Sequence, residues 1–167
     1  WDEKRQPLPI SAAVVLPDNA VFIPQRPYFP EGTLRNALLY PHANSDYTDE
    51  QMKQALELAL LPQLCSQLDS TGQWSQQLSG GEAQRLAMAR VFLKQPSWVF
   101  ADEATSALDE ASEKIIYERL LLMVMRQNGA LVSVAHRPSV AAYHQRLWQL
   151  VNVNEGSIKS HVLQVSH

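Results

Sequence analysis

With 167 residues, 46% of them hydrophobic and 19% charged, the chain has the composition of one globular domain or a large part of one, not of a disordered segment. A net charge of −3 with no basic stripe excludes a general electrostatic pull toward nucleic acid or acidic lipid. No stretch approaches the roughly 20 apolar residues that span a bilayer, and the single cysteine, Cys65, cannot form an internal disulfide, which suits a reducing compartment and reads as a small buried hydrophobe. Trp1-Asp2-Glu3-Lys4-Arg5 is followed by no apolar h-region, so it does not read as a signal peptide, and a start without Met hints at an excised piece.

Pro7, Pro9 and Pro17 punctuate an irregular stretch over residues 1–19. Ala20 to Ile23 is a short apolar run stopped by Pro24 and reads as a buried strand. Pro24, Pro27 and Pro30 make 24–30 a loop, and Thr33 to Leu39 suits one or two helical turns. Thr48 opens a clearer helix. Thr48 and Gln51 have capping-box spacing, Tyr47 and Met52 that of the hydrophobic staple. Met52, Ala55, Leu56, Ala59 and Leu60 recur on one face, and Pro62 is expected to end the helix. Residues 63–68 read as a short helix and 69–77 as a polar loop.

Ser79-Gly80-Gly81-Glu82 begins a second strong helix that runs to about Lys94, with Pro96 as its stop. Trp98 to Ala101 reads as a buried strand ending in Asp102-Glu103. Asp109 caps a third helix, in which Ile116, Leu120, Met123 and Val124 share a face and which Gly129 ends. Ala130 to Val134 is another strand, ending near His136, and residues 146–151 and 157–163 form a terminal hairpin around Asn154-Glu155-Gly156. Strands alternating with helices predict an α/β fold with a largely parallel sheet. Residues 34–94 hold only helical patterns and are read as an inserted helical subdomain; 1–33 and 95–167 form the core around the sheet.

In open α/β sheets, ligands sit beyond the carboxyl ends of the strands. Asp102 and Glu103 follow a strand directly, so one can hold Mg²⁺ through water while the other orients or deprotonates an attacking water. Taken alone, two acids there also make an ordinary solvated turn. Leu78-Ser79-Gly80-Gly81-Glu82-Ala83-Gln84-Arg85 is more specific. Ser79 and Glu82 can form a capping box, but two glycines after the cap weaken a helix unless something must approach its free N–H groups. A phosphate is the natural candidate, favoured by the helix dipole and the Ser79 hydroxyl. His136 and Gln25 each end a strand and carry little meaning singly.

Together these segments resemble the nucleotide-binding domain of the ATP-binding-cassette (ABC) transporters. Leu78–Arg85 is similar to the family's signature motif, and Val99 through Asp109 to its Walker B strand, catalytic glutamate and D-loop. Gln25 falls at the Q-loop glutamine and His136 at the switch histidine, in the family's order. Phe22–Tyr28, Gly32–Arg35 and Leu38–Pro41 look like one branch, that of the YddA/SbmA-BacA-like exporters and the peroxisomal fatty-acyl half-transporters. The resemblance implies a P-loop NTPase fold that hydrolyses ATP with Mg²⁺. Glu103 would be the base, and His136 would contact the γ-phosphate. Gln25 and Asp102 would serve Mg²⁺, largely through water. Ser79, Gly80 and Gly81 would touch ATP held by the opposite subunit, and Asp109 would link the two sites. The implied partners are a transmembrane domain, fused upstream, and a second nucleotide-binding domain in a homodimer, with no nucleic acid. The implied location is the cytoplasmic face of a membrane, such as the bacterial inner membrane. A soluble, non-transport cassette ATPase would usually carry a coiled-coil insert or a second cassette; a non-catalytic regulatory cassette would be expected to lose Glu103 or His136.

The pattern fails at one place. Gripping phosphates needs Gly-x-x-x-x-Gly-Lys-Ser/Thr. The six glycines stand at 32, 72, 80, 81, 129 and 156, and none precedes a lysine. In the family that motif lies upstream of the Q-loop, before the position of Trp1. The chain is therefore read as a C-terminal fragment, inactive alone, rather than a natural variant that lost the motif. The absent segment would supply a central strand, so the 98–101 strand is expected to have an open apolar edge and the isolated chain to be aggregation-prone.

Overall fold

The computed structural model describes residues 17–41, 47–155 and 158–166. The Pro-rich start up to position 16 and Gly156, around which the terminal hairpin is expected to turn, lie outside the described residues. In chain order, β1 (Ala20–Ile23) and β2 (Gly32–Thr33) precede α1 (Leu34–Leu39) and α2 (Asp49–Leu58). A 3-10 turn over Pro62–Gln67 leads to β3 (Thr71–Gly72), α3 (Trp74–Gln77) and the long α4 (Gly80–Lys94). Then come β4 (Trp98–Asp102), α5 (Glu110–Arg126), β5 (Ala130–Val134), α6 (Pro138–Ala141) and the hairpin β6 (Leu147–Glu155) and β7 (Ile158–Ser166).

The central sheet is parallel, in the order β1-β4-β5, as the alternation of strands and helices predicts. β4 is the middle strand, hydrogen-bonded on both sides, so the expected open edge at 98–101 is not there. In register, Val21, Val99 and Leu131 face one way with Ile23, Ala101 and Ser133. On this face Ile23, Val99 and Ala101 join the same core as Leu86, Met88, Ile116 and Leu120 of α4 and α5. The other face shows Phe22 and Val134, 62% and 59% exposed, beside half-buried Trp98, Phe100 and Val132. β1 and β4 are therefore buried on one face only, not throughout as their apolar runs suggest.

Local chemistry explains the helix ends. Both halves of the Thr48–Gln51 capping box form, at 3.2 and 2.8 Å, and Tyr47 packs on the core that holds Met52. α2 stops at Leu58, before Pro62, because Leu60 turns left-handed at φ 60°. Residues 69–77 are not a plain loop: β3 pairs antiparallel with β2, and Trp74 Nε1 donates to the Gly32 carbonyl at 2.9 Å. α4 ends on left-handed Gln95, whereas α5 is capped by Gln127 and followed by left-handed Asn128, at φ 51°. Gly129 is needed for a different reason: a Cβ there would lie 1.6 Å from the Ser97 carbonyl oxygen. Arg90 ties α4 to α1 by donating to the Ala37 carbonyl at 2.8 Å while covering the Phe29 ring; burial lowers its pKa to about 10, so it stays charged. Cys65 is half-buried, and burial pushes its thiol pKa up, away from reactivity.

Candidate active site

Parallel register brings the carboxyl ends of three strands together. Gln25 follows β1, Glu103 follows β4 and His136 follows β5. Their side chains meet. Gln25 Nε2 donates to Glu103 Oε2 at 2.5 Å, and His136 Nε2 lies 2.9 Å from Glu103 Oε1. The Glu103 side chain is 24% exposed and that of His136 87%, so the carboxylate is gripped by the protein yet open on the histidine side. Glu103 sits at φ 45°, a left-handed conformation that a residue with a Cβ adopts at a cost of about 1 kcal/mol or more. Its N–H donates to the Val134 carbonyl at 2.8 Å, which pins this turn to β5. Asp102 closes β4, half-buried, opposite Val134.

The start of α4 forms the capping box suggested by Ser79 and Glu82. The Glu82 N–H donates to Ser79 Oγ at 3.3 Å, and the Ser79 N–H and hydroxyl both donate to Glu82 Oε2, at 3.0 and 2.7 Å. The Ser79 hydroxyl and N–H hold the Glu82 carboxyl below the usual carboxylate range. Gly80 is exposed and Gly81 half-buried. A Cβ on Gly81 would stand 3.1 Å from the Ala107 carbonyl oxygen, and one on Gly80 3.5 Å from the Ala107 side chain. The glycines thus admit the 104–109 segment as well as leaving N–H groups open. Asp109 caps α5: its carboxylate accepts from the Ser112 N–H and hydroxyl, both at 2.8 Å, and these bonds lower its pKa.

Three side chains of the site escaped the sequence reading. Gln84 is 4% exposed and bonds to the Gln25, Glu103 and Ala107 backbones and to Ser106. Glu113, 1% exposed, accepts from Thr105 Oγ1 at 2.9 Å and Ser139 Oγ at 2.7 Å. Arg137 donates to the Leu108 and Ser106 carbonyls, both at 2.8 Å, and lies 3.4 Å from Glu113. The available signal was polarity on a buried helix face: Gln84 shares the core stripe of Ala87, Met88 and Val91.

Among the described residues no group of three or more His, Cys, Asp or Glu is arranged to hold a metal ion. Mg²⁺ in phosphate-transfer sites takes few protein ligands and completes its shell with water and phosphate oxygens. Gln25 and Asp102 fit such a sparse set. The amide of Gln25 must turn Nε2 toward the Glu103 carboxylate, which leaves Oε1 as its free acceptor. No described helix is long and apolar enough to cross a membrane.

A family model described as ABC transporter matches residues 6–106. The chain is 40% identical over 145 residues to an uncharacterized ABC transporter ATP-binding protein of Synechocystis, covering 80% of this chain and 21% of that protein. It is 37% identical over 145 residues to the human lysosomal cobalamin transporter ABCD4, covering 80% of this chain and 23% of that protein. Among solved structures it is similar to a bacterial Atm1-family ABC exporter with ATP bound, at a TM-score of 0.64 and 28% identity over 78% of this chain and 23% of that one. The chain spans about a fifth of the length of the curated relatives it matches.

Proposed function

The chain belongs to the ABC transporter family, and from that premise we infer that it is the signature-bearing part of the ATP-hydrolysing unit of a membrane exporter. The convergence of Gln25 and His136 on Glu103 carries this reading, because it gives one carboxylate two orienting partners and an open side. In the reaction, water attacks the γ-phosphorus and gives its proton to Glu103, and the bond to the β–γ bridging oxygen breaks, leaving ADP and phosphate. Phosphoryl transfer needs mainly positioning and charge neutralisation. His136 positions the water and the γ-phosphate. Gln25 orients the Glu103 carboxylate; with Asp102 it would hold Mg²⁺, which neutralises phosphate charge when bound.

Ser79, Gly80 and Gly81 face ATP held by a second copy, and Asp109 lies where the two sites communicate. Residues 34–94 act as the helical subdomain that carries this helix start, and 1–33 with 95–167 as the core. The phosphate-gripping motif is supplied by sequence outside these 167 residues, in a longer protein with a transmembrane domain, working as a dimer at the cytoplasmic face of its membrane. Mg²⁺-dependent ATP hydrolysis, measured for the full-length protein and for the 167-residue chain alone, tests this. Turnover by the first and none by the second is expected; turnover by the isolated chain would contradict it.

A further inference from the structure

We propose that Gln84 is a positioning residue that couples the start of α4 to the Glu103 carboxylate and the 104–109 segment. The proposal rests on the reading of Glu103 as the base. Gln84 lies one turn into α4, 4% exposed, on the core face of the helix. Its Nε2 is within 3.3 Å of the Gln25 carbonyl, 3.2 Å of the Glu103 carbonyl and 3.0 Å of Ser106 Oγ. Its Oε1 accepts the Ala107 N–H at 2.8 Å. The orientation is dictated by its neighbours, since carbonyls need the amide nitrogen and the N–H needs the oxygen.

One side chain therefore holds all three backbones that shape the site: the loop after β1, the left-handed turn at Glu103, and the segment leading to Asp109. Glu103 is held at φ 45° from two sides, its N–H by the Val134 carbonyl and its C=O by Gln84 and the Ser106 N–H. The Gly81 position packs on the Ala107 carbonyl just beside the Gln84 bond to Ala107. A shift of the α4 start, such as closing onto a nucleotide, is transmitted through this amide to the carbonyl of Glu103. A misplacement of about 1 Å at such a residue can lower turnover by about a hundredfold, and loss of a supporting hydrogen-bond partner typically lowers it by about 10- to 100-fold.

The test uses the full-length protein with Gln84→Met, which matches the length and removes every hydrogen bond, and Gln84→Glu, which keeps the acceptor for Ala107 and loses the donor. Both should lower kcat for ATP by about tenfold or more with KM changed less than about threefold. Amide hydrogen exchange over 104–108 should be slow in the unaltered protein and accelerate in Gln84→Met. A kcat within twofold of normal in either folded variant, or a fast-exchanging Ala107 amide in the unaltered protein, would overturn the proposal. Glu103→Gln is assayed in parallel: normal turnover there refutes the base, while the exchange result still decides whether Gln84 holds the segment.

Discussion

Glu103 is where local preference and chemistry disagree. Its sequence context shows an apolar strand followed by two acids, enough to mark a pair of carboxylates at a sheet edge. It does not show which acid faces the histidine, since that depends on a left-handed φ imposed by the Val134 and Gln84 contacts. Glu82 and Asp109 were easier to read, because a cap acts three residues away. Both carboxyls are held below the usual range, by Ser79 and Ser112 respectively. A depressed folded-state pKa stabilises the fold fully above the unfolded value of about 4 and loses that contribution as pH falls through the folded value. Acid unfolding of the intact protein should therefore show these caps contributing from neutrality down to about pH 4, with Ser79→Ala flattening the acid-side loss. An equal loss between pH 7 and pH 5 would contradict this. Glu82 also puts a negative charge at the helix start that, in the proposed function, meets phosphate. Glu82→Gln should tighten ATP binding by about two- to fivefold, the size of one dipole-scale interaction, as read by nucleotide titration of the full-length protein. Unchanged or weaker binding would mean the phosphate does not approach this end.

At the scale of elements, α2, α4 and α5 were legible from caps and periodicity because those signals are local. The β2–β3 pairing was not: it joins two residues to two others across the whole of α1 and α2, with no pattern in either. Nor was the role of Gly129. It looks like a helix terminator, but Asn128 takes the left-handed position and Gly129 is bare because the Ser97 carbonyl passes through the space of a Cβ. Gly129→Ala should destabilise the fold by about 2–4 kcal/mol, since backbone must move to admit the methyl. Denaturant unfolding of the intact protein measures this; a loss below about 1 kcal/mol would show that the α5–β5 turn yields easily.

For the whole molecule, strand order decides what is exposed, and order is set by pairing partners that no single strand encodes. β4 was expected to have an open edge, yet it lies between β1 and β5. What the chain shows outward is the sheet face bearing Phe22 and Val134. Parallel sheets are normally covered on both faces. The isolated chain should thus self-associate with rising concentration, and Phe22→Ser with Val134→Ser should reduce that in sedimentation; a concentration-independent monomer would argue against it. Glu103, gripped by Gln25 and His136, is the centre of the proposed function. ATP turnover by full-length Glu103→Gln, with ATP binding measured on the same preparation, tests it most directly. Binding within about twofold of normal with turnover reduced by a hundredfold or more is expected on the loss of a general base. Turnover at the normal rate would contradict Glu103 as the group that takes the proton.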